Sequence, residues 1–456
     1  MEFLLDVYPH PTRSSLVVWA KRGSGTWRTE VPYRPDFCLQ SEGKPLSWAE
    51  AELRRDRRVE SMWRATTRPA PGAEPVEVLR VRPWSLHDVW AVASDLRKRA
   101  HTKGYLFFDV DNQPESRWMH ANGLFPLCRL ADDGSLRRHS VDERFDYDFP
   151  TPPLTIVDLE AYSHAQGVER AFDDPLDRIV LDGKEFACAG PDDEPRVLRQ
   201  MGRLLRSLDP DVLVTRGGDE WDVPYLLSRI RAHSLQNEVW LGRAPDPDPK
   251  APDQEAKSVS TYGRILYRTT AYYLRGRFHV DMGKKSLVDL PDRADLWGLV
   301  YMTRISNRRL QDVNRNGPGY CLQQIQIDVA LDEGCSLPWK RNLSEDWKDA
   351  ATLTAVDRGG QIMKPRPGIY GDVWALDFSA YYPSIVVGRN LSSDTINCAC
   401  CPDSDEVIPD LGYHVCQKRG DGHQVKVLRP TVEHRRKIKM LLKRAKNQGT
   451  AVAEGS

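Results

Sequence analysis

The chain has 456 residues, which is enough for roughly two to four domains of ordinary size. Hydrophobic residues make up 40% of the sequence, but no apolar run approaches the roughly 20 residues that cross a bilayer, which excludes a membrane-spanning protein. Lysine plus arginine and aspartate plus glutamate number 65 each, so the overall charge indicates no particular partner. The N-terminus lacks the basic start and apolar stretch of a secretory signal, and we therefore expect a cytoplasmic protein without a membrane partner.

The first 150 residues contain short β-like runs that are separated by glycine, proline and charged clusters. The clearest are "FLLDVYP", "SSLVVWAKR", "PVEVLRVRPW" and "GYLFFDVD", with a helix expected near residues 86–101. This pattern predicts a β-rich domain over residues 1–150.

Strands and helices alternate from "PPLTIVDLEAY" onward. The stretches "DRIVLDG" and "DVLVTRGG" have strand patterns, whereas residues 194–207 and "DVPYLLSRIRAHS" have helical patterns. This alternation predicts an α/β layer. Residues 295–357 are mainly helical in pattern, and residues 366–388 return to strand, turn and helix.

Three acidic residues lie at the ends of elements in the α/β layer. Asp158 and Glu160 are two residues apart at the end of an apolar strand, so both side chains face the same side of the sheet, and Asp222 opens a helix. Such carboxylates could share Mg²⁺, which prefers oxygen ligands and can position a water against a phosphodiester. In the alternative, Asp222 caps its helix and the other two are solvated loop acids.

A fourth acidic residue, Asp377, ends the buried strand that is predicted in "DVWALDF", and "YYPSIVV" follows it. A carboxylate there could hold Mg²⁺ bound to a triphosphate, and an aromatic ring beneath the sugar could exclude a 2′-hydroxyl. The alternative is that Asp377 caps the next element and the tyrosines belong to a core.

The stretch "VEHRRKIKMLLKRA" has a helical period, with Arg435, Lys439 and Lys443 repeating every four residues along one face. This stripe of cations suits phosphate oxygens, although a charged helix face can equally be a solvated surface.

Four cysteines cluster between Asp377 and this basic stretch, at Cys398, Cys400, Cys401 and Cys416. Four thiolates could bind zinc tetrahedrally. Because Cys400 and Cys401 are adjacent, the spacing departs from that of a zinc ribbon, and buried or free thiols are the alternative. The other five cysteines are scattered and are expected to pack in cores.

Several of these stretches resemble motifs of family-B DNA polymerases. "LDFSAYYPSIV" resembles their motif A, Asp-x-x-Ser-Leu-Tyr-Pro-Ser-Ile. The resemblance implies that Asp377 and the carbonyl of Phe378 bind Mg²⁺, that Tyr382 excludes ribonucleotides, and that the residues between them contact the nucleotide. Those residues are Ser379, Ala380 and Tyr381. Ala380 replaces the usual serine, and the loss of that hydroxyl weakens the case for full activity.

The resemblance also implies contacts with phosphates and template. The basic stretch is similar to the first fingers helix, where an arginine and a lysine four residues later hold the outer phosphates of the incoming nucleotide; these positions are Arg435 and Lys439 here. Gly359 and Gly360 match the pair that links the exonuclease and polymerase modules near template DNA. The same divergent branch tends to carry cysteines between motif A and the fingers, which favours a metal at the cluster.

"IVDLEAY" and "TRGGDEWDVPYL" resemble the first two exonuclease motifs of the family, which implies exonuclease roles for Asp158, Glu160 and Asp222. Asp295 could take the third carboxylate position, of Tyr-x-x-x-Asp, but Pro291 stands where the tyrosine belongs. Without that tyrosine to orient the water, hydrolysis should suffer. We therefore expect an exonuclease fold with weak or absent proofreading, as in a divergent archaeal-type branch with eroded motifs.

The resemblance predicts a multidomain chain of α/β and α+β class. Its expected units are a β-rich N-terminal domain at 1–150, a ribonuclease-H-like exonuclease domain at 151–300, a helical connector at 301–365, a partial palm with the cysteine cluster at 366–430, and the first fingers helix with a disordered tail at 431–456.

The implied function is template-directed DNA polymerisation with two metal ions, primer–template DNA and deoxynucleoside triphosphates, in a nucleoid-associated protein. The sequence contains neither Lys-x-x-x-Asn-Ser-x-Tyr-Gly nor Asp-Thr-Asp, so we expect a truncated chain that is inactive in primer extension by itself. Three hypotheses remain: a second polypeptide completes the enzyme, the chain is a decayed polymerase that binds DNA or a replication or repair partner, or Asp158, Glu160 and Asp222 serve a stand-alone nuclease.

Overall fold

A computed structural model describes residues 1–100, 104–165, 170–245, 252–261, 264–268, 270–283, 296–340, 347–356, 363–409 and 411–447. Within these ranges helices pack against four β-sheets, which confirms the mixed α/β, multidomain class. No helix of the described part is long and apolar enough to cross a membrane.

Two antiparallel four-stranded sheets make up the first 130 residues. The bounds are β1 Glu2–Pro9, β2 Ser15–Arg22, β3 Gly25–Pro32, β4 Phe37–Ser41, α1 Leu46–Leu53, β5 Val59–Thr67, β6 Val76–Pro83, α2 Val89–Arg99, β7 Tyr105–Phe108, α3 Pro114–Ala121 and β8 Arg129–Leu130. The strand orders are β3-β2-β1-β8 and β5-β6-β4-β7. The predicted strands of this region are therefore confirmed, because each alternating or apolar run finds a neighbouring strand.

A five-stranded sheet follows, in the order β11-β10-β9-β12-β15. The bounds are β9 Ile156–Ser163, β10 Leu176–Leu181, β11 Lys184–Ala187, α4 Glu194–Leu208, β12 Val212–Thr215, α5 Asp222–Ala232, β13 Lys257–Thr261, β14 Arg264–Arg268 and β15 Phe278–Asp281, with β13 and β14 pairing separately. Strands β9, β12 and β15 are parallel, so their carboxyl ends share one edge of the sheet. This edge carries Asp158 and Asp281 on either side of Thr215.

The central strand β12 is buried along its whole length, as expected for a parallel strand that is covered on both faces. Helix α4 packs on the sheet through a helical stripe that includes Val197, Met201 and Leu205. A second core joins residues of β1 and β2 to β12, β15 and the helices that follow, so the N-terminal sheet and the five-stranded sheet are packed together.

The remaining helices are α6 Leu296–Ser306, α7 Leu310–Arg315, α8 Pro318–Asp332, α9 Ala350–Val356, α10 Tyr381–Gly388 and α11 His423–Asn447. Helix α11 packs against α8 and α10. It begins earlier than the period of the basic stretch predicted and contains Pro430.

The prediction of a buried strand that ends at Asp377 is wrong. Residues 363–380 have no regular secondary structure, and the side chains of Trp374 and Leu376 are 86% and 92% exposed. No described strand lies beside this segment to pair its backbone groups or cover its apolar side chains, so the apolar pattern alone does not produce a strand.

Candidate functional site

Asp158 and Glu160 lie on the same face of β9, as predicted, because they alternate with the buried side chains of Val157, Leu159 and Ala161. Both acids line a cavity of about 200 Å³ at the carboxyl edge of the five-stranded sheet. The Glu160 carboxylate accepts a hydrogen bond from the Tyr162 hydroxyl. The cavity is small, polar and open to solvent.

Asp222 is the first residue of α5, but its carboxylate does not serve the helix. Its Oδ1 accepts the backbone N–H of Ala161 at 2.8 Å, which ties α5 to β9. Burial raises the pKa of Asp222 to about 7, and the nearby charges of Asp281 and Glu160 add to that shift. The carboxyl is therefore largely protonated below neutral pH, and the alternative of a helix cap is wrong.

Sequence reasoning missed Asp281, the last residue of the apolar strand β15, which lies at the same edge of the sheet as Asp158. Its Oδ1 accepts the backbone N–H groups of Gly217 at 2.7 Å and Gly283 at 2.9 Å, and its Oδ2 accepts that of Asp219 at 3.2 Å. Asp281 thus holds the loop after β12 in place. The sequence pattern that could have identified Asp281 is an acidic residue at the end of an apolar strand.

Arg216 was also missed, and it lines the cavity of Asp158 and Glu160. Within the described ranges, the one group of three or more Asp, Glu, His or Cys side chains whose ligand atoms could share an ion is the cysteine cluster. Asp295 and Pro291 lie outside the described residues.

The segment around Asp377 is exposed and turns directly into α10. Ala380 has a positive φ of 50° just before the helix, and no side chain caps the first turn. The Phe378 and Tyr381 rings lie 5.1 Å apart between centroids, while the side chain of Tyr382 is 73% exposed. The alternatives of a capping Asp377 and of tyrosines in a core are therefore both wrong.

The basic helix α11 packs beside this turn. Arg435 Nη1 lies 3.4 Å from the hydroxyl of Ser379, and Arg436 Nη2 lies 3.3 Å from the hydroxyl of Ser384. Lys439 and Lys443 continue the exposed stripe. The structure thus brings the cations of α11 to the residues that follow Asp377. Gly359 and Gly360 lie outside the described residues.

The four clustered cysteines converge on one point. Their sulfur atoms lie within 4.8 Å of one another, and Cys398, Cys401 and Cys416 are buried. Burial raises the pKa of Cys416, but hydrogen bonds from the Arg419 backbone and the Cys400 thiol outweigh it and lower the pKa to about 6. The other five cysteines are buried and unbridged, which confirms their expected role in packing.

Comparison with known proteins shows which proteins this chain is similar to. A family model described as DNA polymerase family B matches residues 327–453. DNA polymerase 1 of Pyrococcus abyssi is 25% identical over 82% of this chain and 51% of its own length, and a DNA polymerase of a Thermococcus species is 27% identical over 81% and 50%. The chain is thus similar to family-B DNA polymerases at low identity, with the family model confined to its C-terminal part. It spans about half the length of these curated relatives.

The family-B relationship extends to the fold. The structure of the family B DNA polymerase from Pyrobaculum calidifontis covers 97% of this chain with a TM-score of 0.67 at 22% identity, and the match takes in 64% of that polymerase. The region matched by the family-B model includes the end of α8, all of α9 and α10, the cysteine cluster and α11. The predicted resemblance is therefore confirmed at the level of family and fold.

Proposed function

We propose that this chain forms the N-terminal, exonuclease-like and partial palm portions of a DNA polymerase that adds deoxynucleotides to primer–template DNA. The observation that carries the proposal is the contact between Arg435 of α11 and Ser379, two residues after Asp377. It sets a stripe of cations suited to phosphates beside a carboxylate suited to a metal ion.

In the proposed site, the Asp377 carboxylate and the Phe378 carbonyl hold Mg²⁺, whose preferred ligands are oxygens of this kind. When bound, the ion supplies charge neutralisation for the triphosphate. Tyr382 bounds the sugar, and Arg435 and Lys439 hold the outer phosphates. Asp377 is exposed, so its oxygens are accessible to such a ligand.

A two-metal site needs a second carboxylate, and the 456 residues contain no Asp-Thr-Asp. We propose that residues outside this sequence supply it, on the same polypeptide or on a second one. The exposed apolar side chains of Ile369, Trp374 and Leu376 support a further element that packs on the segment before Asp377. This exposure favours a completed enzyme over a decayed one.

A matched pair of aspartate variants tests the assignment of Asp377. The chain is purified together with the polypeptide segment that carries Asp-Thr-Asp in the source organism, and primer extension is measured. Asp377→Asn is expected to lower the rate by about 10³-fold, because a metal contact contributes several kcal/mol. Asp372→Asn, an exposed aspartate in the same segment whose positive φ asparagine tolerates, is expected to leave the rate unchanged.

Two results would count against the polymerase proposal. An assembled pair that binds primer–template but incorporates nothing would favour the decayed-polymerase hypothesis. Equal losses in Asp377→Asn and Asp372→Asn would remove the special role of Asp377.

We further propose that 3′–5′ exonuclease activity is weak or absent. The proposal is supported by Pro291, which stands where the third exonuclease motif of the family has the tyrosine that orients the water. With Mg²⁺ at pH 7, the chain is expected to degrade single-stranded DNA no faster than its Asp158→Asn variant. Degradation that is lost in Asp158→Asn but kept in the surface variant Asp192→Asn would instead establish a nuclease.

A further inference from the structure

The segment from Ile396 to Cys416 forms a small lobe between α10 and α11 that has almost no apolar core. Isolated β-bridges join Ile396 to Val415 and Val407 to His414, which folds the segment back on itself. The buried cluster of this lobe consists of the four cysteine side chains. A lobe of this size cannot be held by hydrophobic burial alone, and such units usually depend on a metal or disulfides.

The distances between the sulfur atoms fit one tetrahedral ion. Sγ of Cys398 lies 3.1 Å from that of Cys401 and 3.4 Å from that of Cys400, and Sγ of Cys400 lies 3.9 Å from Cys401 and 3.5 Å from Cys416. Four thiolates around zinc, each about 2.3 Å from the ion, are separated by about 3.8 Å. The observed separations scatter around that value.

Other uses of four thiols fit less well. A disulfide joins sulfurs at about 2.0 Å in separate pairs, whereas here Cys400 lies near all three of the other cysteines. A four-iron cluster binds each thiolate to a different iron and so needs a wider ring of sulfurs. The sequence signal is present as well, because Cys398 and Cys401 form a Cys-x-x-Cys pair with Cys400 inside it.

We propose that Cys398, Cys400, Cys401 and Cys416 bind one structural Zn²⁺ ion and that this ion fixes the start of α11 relative to α10. This site lies outside the proposed polymerase chemistry and does not rest on it. The surroundings suit the negative charge of a four-thiolate centre: the backbone N–H of Arg419 points at Sγ of Cys416 at 3.3 Å, and Lys418 Nζ donates to the carbonyl of Cys400 at 2.8 Å.

Hydrogen bonds beside the lobe tie its end to the segment after α10 and tie that segment to the start of α11. The N–H of Cys416 donates to the carbonyl of Thr395 at 2.8 Å, close to the end of α10. The N–H of His423, the first residue of α11, donates to Asp394 at 3.0 Å, and its ring bonds Glu333 just beyond α8 at 3.0 Å. Loss of the ion would therefore loosen the first turns of α11, whose later turns carry Arg435 and Lys439.

The metal content of the purified full chain tests the site. Elemental analysis of protein that is expressed without added metal and kept reduced is expected to find one zinc per chain. Cys400→Ser should lose most of that zinc, whereas Cys188→Ser, a buried cysteine of the five-stranded unit, should retain one. Replacement by Co²⁺ in the unmutated chain should give the intense visible absorption of tetrahedral cobalt thiolate. A metal-free chain with nine titratable thiols, a disulfide within the cluster, or bound iron would overturn the proposal.

Hydrogen exchange tests the coupling to α11. Removing zinc with a chelator is expected to speed amide exchange in residues 416–430 by at least about tenfold, while exchange in α4 stays unchanged as an internal control. Unchanged exchange in 416–430 after complete zinc loss would show that the ion does not fix the start of α11.

Discussion

Arg315→Met is expected to destabilise the five-stranded unit by about 3–5 kcal/mol, because it removes the guanidinium that balances the charge of the buried Asp219 carboxylate. Arg315 in α7 bonds both oxygens of Asp219, with Nε 2.7 Å from Oδ2 and Nη2 3.0 Å from Oδ1, and both side chains are buried. Asp219 lies in the loop after β12 that also contains Arg216. Hydrogen exchange of the slowest amides in β12 would measure the free energy of opening.

The control for this effect is the pair Arg196 and Asp193, which has the same two-point geometry at 2.5 and 2.6 Å but lies at the surface. Arg196→Met should cost far less than Arg315→Met, because water solvates the remaining charge. The double variant Arg315→Met/Asp219→Asn should recover part of the loss, since it removes the buried charge. Equal costs for the two arginine substitutions would contradict the role of burial.

Asp222→Asn is expected to raise the free energy of unfolding relative to the unmutated chain, and this gain should be larger at pH 8 than at pH 4. Burial raises the pKa of this carboxyl from 3.8 to about 7, so the folded state holds the proton more tightly than the unfolded state. The associated stability is fully present below about pH 4 and is lost as the pH rises to about 7, which amounts to at most about 4 kcal/mol. Asparagine carries no charge at either pH and can still accept the Ala161 N–H.

Denaturation of the unmutated chain and of Asp222→Asn between pH 4 and pH 8 checks this prediction. The difference between the two curves should grow with pH and level off above about pH 7. Asp192→Asn, on the surface of the same unit, serves as the control. A difference that is constant with pH would show that Asp222 is ionised in the folded protein throughout.

The elements that the sequence predicted correctly are those whose partners lie close by. Helix α4 and strands β9 and β12 follow from periodicity, because each packs against the same five-stranded sheet. The strand before Asp377 has an equally apolar pattern, but a strand forms only when a neighbour pairs with its backbone, and that information is not local. For β9 and β12 the apolar pattern and the strand pairing agree, whereas the segment before Asp377 has the pattern without a described pairing strand.

The site residues divide in a similar way. The shared face of Asp158 and Glu160 follows from the two-residue repeat of a strand. The convergence of Cys416 on Cys398, Cys400 and Cys401 depends on the backbone of the lobe turning back, which spacing alone does not reveal. Likewise, Asp281 holds the loop after β12 by accepting hydrogen bonds from the backbone N–H groups of that loop, and its own strand pattern does not reveal this contact.

The uncovered segment at 363–380 also bears on how the protein is made and stored. Its apolar side chains are exposed and its backbone pairs with no described strand, so it is open to any sheet edge that reaches it, including one from another copy. The further element proposed above would therefore compete with self-association for the same stretch of chain. Concentration and expression rate become determinants of whether Asp377 is ever presented to a nucleotide.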